Sequence, residues 1–183
     1  MTILLPGSAQ GPGAVIRNSS TAQQAFTAAT RAVVAGTLIK VPVGGLKAGA
    51  RYRARFNIAK TAAGTATSTV DVAVGTTATG LNTARLSFTK PAGTAVADEG
   101  VIEVDVLIRS VSATGVIAGE MTMGHNLSAT GHAQIPFVAV SAVSAAFDNS
   151  GDGLYIAVCL TTGASDVITT EVAGATLEIQ NGG

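Results

Sequence analysis

The feature that most narrows the fold of this chain is a two-residue period in side-chain polarity that begins at Arg51 and recurs almost to the C-terminus. In residues 51–60 the odd positions include Arg51, Arg53, Arg55 and Asn57, and the even ones Tyr52, Ala54, Phe56 and Ile58. Successive side chains of a strand point to opposite faces, so this alternation predicts a half-buried β-strand. Val70, Val72 and Val74 against Thr69, Asp71 and Ala73 repeat it, as do Leu86 and Phe88 against Arg85, Ser87 and Thr89. Ile102, Val104, Val106 and Ile108 oppose Glu103, Asp105 and Arg109, and Ile117, Met121 and Met123 continue after a turn at Thr114-Gly115. Leu154, Ile156, Val158 and Leu160, then Leu177 and Ile179, close the series. No comparable window has a helical period with caps at both ends.

Breakers separate the runs at Val43-Gly44-Gly45, Ala63-Gly64-Thr65, Thr79-Gly80-Leu81, Pro91-Ala92-Gly93, Ser150-Gly151-Asp152-Gly153 and Thr162-Gly163-Ala164. Many short β-branched runs, each with one apolar face, predict an all-β, antiparallel, jelly-roll-like β-sandwich. The run from Phe137 to Phe147 differs, being small and mildly apolar on both faces. It either lies in the middle of the fold or turns its outer face to another copy of the chain, and Val138, Val140 and Ala142 are its candidate contact residues. Residues 1–27 carry Pro6, Gly7, Gly11, Pro12 and Gly13 and an uncharged polar run from Asn18 to Gln24. They read as an extended N-terminal arm offering Leu4, Leu5, Val15 and Ile16 to a neighbouring subunit, before a sandwich domain at 28–183.

Composition excludes several classes. The 183 residues are 47% hydrophobic and only 12% charged, with 11 Lys+Arg against 11 Asp+Glu. Zero net charge supplies no field for nucleic acid or an anionic membrane. The uncharged stretch from Met121 to Phe147 is long enough for a membrane helix but holds His125, Asn126, His132, Gln134 and Pro136, which exclude one. Apolar content rests on Ala and Val, with five Phe, two Tyr and no Trp. A lightly filled core and a nearly uncharged surface favour association, so a homo-oligomer or a subunit of an assembly is expected. The lone Cys159 excludes an intrachain disulfide and, inside the apolar run 154–160, reads as a small buried hydrophobe. The N-terminus lacks the basic and apolar regions of a signal peptide, so secretion by that route is not expected.

No enzyme signature is present: GxSxG, HExxH, a P-loop and GxGxxG are all missing. Adjacent Asp98 and Glu99 point apart in an extended segment and make a poor acid–base pair. Asp148 and Asp152 begin a calcium-like loop, but its twelfth position is Cys159 where a bidentate carboxylate is needed, so a polar turn is the plainer reading and no metal or cofactor is expected. His125 and His132 flank a turn-like stretch without a third ligand in sequence. Arg51, Arg53 and Arg55 share one strand face; they either pair across strands with Glu103 and Asp105 or contact an acidic patch on a partner. Nucleic acid is disfavoured because no aromatics interleave with them.

The text of residues 51–172, with KTAAGTATSTVDVAVGTTATGLNTARLSFTK, GHNLSATGHAQIP and GDGLYIAVCLTTGASDVITTEV, resembles small β-rich virion proteins of tailed bacteriophages, the capsid-decoration and head-fibre-like family. The resemblance implies a non-enzymatic, usually trimeric sandwich on the outer capsid surface, made in the host cytoplasm and attached by an N-terminal segment to the major capsid protein. The alternative it leaves is the distal receptor- or glycan-binding domain of a tail or head fibre. The N-terminal segment lacks collagen-like repeats and coiled-coil heptads, which favours a decoration knob over a fibre.

Overall fold

The structure, a computed structural model, describes residues 14–179 apart from 28, 80, 82, 164 and 165. Leu4 and Leu5 of the expected arm lie outside the described residues. Among those described the secondary structure is strand alone. In chain order these are β1 (Ala14–Ser20), β2 (Gln24–Thr27), β3 (Ala32–Val33), β4 (Ile39–Lys40), β5 (Arg51–Lys60), β6 (Ser68–Gly75) and β7 (Ala84–Lys90). They continue as β8 (Asp98–Ser110), β9 (Val116–His125), β10 (Phe137–Val143), β11 (Tyr155–Thr161), β12 (Val167–Thr170) and β13 (Ala173–Ile179).

The strands form two antiparallel sheets. The larger runs β1-β13-β5-β8-β9-β10, with β12 pairing both β5 and β2; the smaller runs β3-β11-β6-β7, with β4 also on β11. The chain passes between sheets from β5 to β6, from β7 to β8 and from β10 to β11, and returns beside β5 at β13, giving the expected jelly-roll-like sandwich. The even positions of β5 and β8, among them Tyr52, Phe56, Ile58, Ile102, Val104 and Val106, face Val70, Val72, Leu86, Phe88, Ile156 and Val158 across one core. Burying a side chain of this size contributes about 1.5–3 kcal/mol. Tyr52, fully buried, also satisfies its hydroxyl by donating to Thr37 O at 2.7 Å.

Three expectations change. Val15 and Ile16 belong to β1, which pairs with β13 from Ala14↔Ile179 to Ser20↔Ala173, and β2 places Phe26 in the core. Residues 14–27 are therefore part of the sandwich rather than an arm, because the polar run from Asn18 finds its backbone partners in the sheet edge. β10 sits at the end of the larger sheet, not in the middle of the fold. Its contact candidates Val138, Val140 and Ala142 turn inward, Val138 buried and the other two packed on the core, so Phe137, Ala139, Ser141 and Val143 form its outward face. The small side chains of this strand look alike in both phases, and the pairing with β9 decides between them.

Candidate functional site

The outer face of the larger sheet carries most of the exposed charge in register. One row across the sheet reads Arg17, Thr176, Arg53, Asp105, Glu120 and Ser141. The neighbouring row reads Ser19, Gly174, Arg55, Glu103, Thr122 and Ala139. An open depression of about 1050 Å³ lies over these rows. At its edge Arg51 Nε and Nη2 each donate to the lining residue Asp105 at 2.6 Å, a bidentate pair, and Arg53 Nε reaches the same carboxylate at 3.2 Å. Arg53 also lies 3.7 Å from Glu178, and Arg55 Nε 3.2 Å from Glu103. Cross-strand pairing thus accounts for all three arginines of β5. Hydrogen bonding to Asp105 raises the pKa of the Arg51 guanidinium, keeping it charged. Glu120 stands directly opposite Asp105 and has no ion partner among the described residues. The pairs are exposed, so they hold little stability and can exchange partners.

At one end of the sandwich, loops bring a polar cluster together. His125 Nδ1 lies 2.6 Å from Asp98 Oδ2 and His125 Nε2 lies 2.7 Å from Ile135 O, so each ring nitrogen faces an acceptor oxygen. The same Asp98 oxygen accepts the His132 backbone N–H at 2.9 Å. Burial pushes the Asp98 carboxyl up, but the hydrogen bonds from His132 and His125 outweigh it and hold the carboxyl below its usual range. The two histidines that sequence left as a loose pair stand edge to face with ring centroids 6.2 Å apart, and Asp98 joins them. Nearby Lys60 Nζ donates to Thr94 O at 2.7 Å, and Lys90 Nζ donates to His132 O at 2.8 Å and Pro91 O at 2.9 Å. Burial, then the Lys60 charge, pushes Lys90 down to about 8. Each ammonium here ties a loop carbonyl, which is a structural use.

The calcium-like loop is a set of braces. Asp148 Oδ1 accepts from Ser150 N at 3.0 Å and Ser150 Oγ at 2.7 Å, while Asp152 Oδ1 accepts from Gly44 N at 3.0 Å. The two carboxylates therefore serve different partners. No group of three His, Cys, Asp or Glu among the described residues is placed to hold a metal ion. Cys159 is a buried free thiol on the outer face of the smaller sheet, pushed up to about 12 by burial and the Asp71 charge, and so unreactive. Asp71 beside it is held by Arg31, whose Nε and Nη2 donate at 2.9 and 2.5 Å while Nη1 donates to Leu81 O. Sequence reading missed this buried ion pair.

Comparison with known proteins adds little to this geometry. No family model and no curated protein matches the chain. Among solved structures, a Shewanella oneidensis protein of unknown function aligns with a TM-score of 0.44 at 6% identity, covering 98% of this chain and 96% of that one. Arcelin-5, a lectin-like defence protein from Phaseolus vulgaris, gives 0.41 at 7% identity over 93% of this chain and 100% of its own. A chain of the T13 viral particle of IBDV gives 0.30 at 11% identity over 99% of this chain and 44% of its own. The fold assignment rests on the strands and their registers, and the likenesses assign no activity.

Proposed function

We propose that this chain is a non-enzymatic structural protein of a tailed-phage virion, a capsid decoration or cement protein that binds the outer capsid surface as an oligomer and stabilises the shell. The resemblance of residues 51–172 motivates the reading. The observation that supports it most is the broad face of the larger sheet, where Arg17, Arg53 and Arg55 stand beside Glu103, Asp105 and Glu120 in an open depression. A wide surface of exchangeable ion pairs suits another protein of mixed charge, here the major capsid protein, better than a small molecule. A subunit that binds only the assembled shell stabilises it by mass action, about 2.7 kcal/mol per site at a hundredfold excess over Kd.

Low-resolution imaging of intact particles with this protein labelled tests the proposal. Hundreds of copies on the head are expected, and the double variant Arg53→Glu, Arg55→Glu, folded by circular dichroism, loses that occupancy. A handful of copies at the tail instead supports the distal receptor- or glycan-binding role. Absence from every particle rejects both.

A further inference from the structure

We propose that two copies of this chain pair edge to edge through β10, antiparallel, about a twofold axis at Val140. The hydrogen-bond phase of the strand makes the edge available. Ser144 N donates to Ile117 O at 2.9 Å and His125 N donates to Pro136 O at 3.2 Å, so the even positions of β10 face β9. The N–H and C=O groups of Phe137, Ala139, Ser141 and Val143 point the other way, and among the described residues β10 ends the sheet. A row of unpaired backbone groups is a template for another strand.

Among the described residues the other sheet edges are guarded and this one is not. Exposed Arg17 lies on β1, and β7 has a register shift in its pairing with β6. β2 spans four residues, β3 and β4 two each. Phe137–Val143 contains no Lys, Arg, Asp, Glu or Pro, and its register with β9 is unbroken. Charge, bulges and brevity are the usual protections of an edge strand, and β10 has none of them.

The occupant that fits is a second copy. Pairing about Val140 sets Phe137 against Val143 of the second copy and Ala139 against Ser141 of the second copy, joined by about eight backbone hydrogen bonds. Phe137 and Val143 are 58% and 59% exposed in the single chain, and Ile135 beside them 54%. Charge permits the approach: the nearest like charges, Glu120 on each β9, would lie three strand spacings apart, about 14 Å, beyond the ~8 Å Debye length at physiological salt. An acidic or basic partner would find no complement on β10. The order so set is two, in place of the three that the phage resemblance implies, and it stands whether or not the protein binds a particle.

Mass in solution, by sedimentation of the full chain, tests the pairing. Wild type should run as two copies and Ala139→Pro as one, because proline there removes an outward N–H without touching the bonds to β9. Ala139→Lys and Ser141→Glu should each run as one copy, and their equimolar mixture should recover the two-copy mass, since the proposed register places 139 opposite 141. If Ala139→Pro fails to fold, the charged pair decides alone. A wild-type mass of one or three copies, an unchanged mass in folded Ala139→Pro, or a mixture that stays at one copy overturns the proposal. A one-copy mass with the outward amides of β10 protected from exchange points to cover by this chain's own residues outside 14–179, and overturns it equally.

Discussion

His132 is enclosed completely, with both ring nitrogens lacking a hydrogen-bond partner, beside the ammonium groups of Lys90 and Lys60. Burial, then the Lys90 charge, pushes its pKa down to about 4 from 6.5. The folded protein therefore keeps this ring neutral where the unfolded chain has already taken up a proton. Between pH 6.5 and about 4 the unfolded state binds more protons, so stability falls as pH falls, and below about 4 this contribution is flat. At 1.36 kcal/mol per pKa unit the loss is on the order of 3 kcal/mol. Asp98, held low by its hydrogen bonds, titrates beneath that window. His132→Phe keeps a ring of similar shape and the backbone N–H to Asp98 while removing the titration. Urea midpoints across the window should fall more steeply in wild type than in the variant, and parallel slopes would show that the ring finds a partner on protonation.

Gly115, at the turn between β8 and β9, shows how one residue ties several elements. Asn149 from the β10–β11 connection fills the space a Cβ on Gly115 would occupy, while its Oδ1 accepts from Ser112 N at 3.0 Å and its Nδ2 donates to Ser110 O at 2.9 Å. Gly115→Ala displaces Asn149 and frees both backbone groups, a loss of about 2–3 kcal/mol. Asn149→Ala frees the same groups, so the double variant should be no less stable than the worse single one. Denaturant midpoints that add would disprove the shared mechanism. The oxygen-rich loop that suggests an ion in sequence is thus occupied by its own backbone. β5 and β8 were legible because each has one face in the core and one in water. β6 and β11 were less so, since Asp71 and Thr69 look solvent-facing, yet Asp71 is 2% exposed beneath Arg31. The cover over that face, Val33, Leu38 and Leu81, comes from distant segments with no period to reveal them. The arginine pairs of β5 were legible because opposite charges on two alternating strands admit one phase. The phase of β10 was not, because Val, Ala and Ser differ too little between its faces.

Residues 14–41 work as a clasp at the level of the whole molecule: β1 and β2 extend the larger sheet, β3 and β4 the smaller. Side chains lock the two parts, Asn18 Nδ2 donating to Leu38 O at 2.7 Å, Gln24 Nε2 to Val33 O at 2.8 Å, and Ala35 N to Gln24 Oε1 at 2.8 Å. One side of the sandwich is thereby closed by the chain itself, while the opposite side ends at β7 and β10. This asymmetry leaves one edge and one face of the larger sheet open for the contacts proposed above. It also separates two roles that deletion of the whole N-terminal segment would confuse. Removing residues 1–27 takes away β1, β2 and Phe26, whose loss from a core alone costs about 3–5 kcal/mol. The melting midpoint should drop by well over ten degrees, at about 2–4 °C per kcal/mol for a chain of this size, and particle binding would be lost for want of a fold. Removing only residues 1–13 leaves every described strand in place and tests attachment by Leu4 and Leu5 directly. An unchanged midpoint with lost particle binding is the expected result. Full occupancy by the shorter deletion would remove Leu4 and Leu5 from attachment and leave the charged sheet face as the contact, and an unchanged midpoint in the longer one would contradict the clasp.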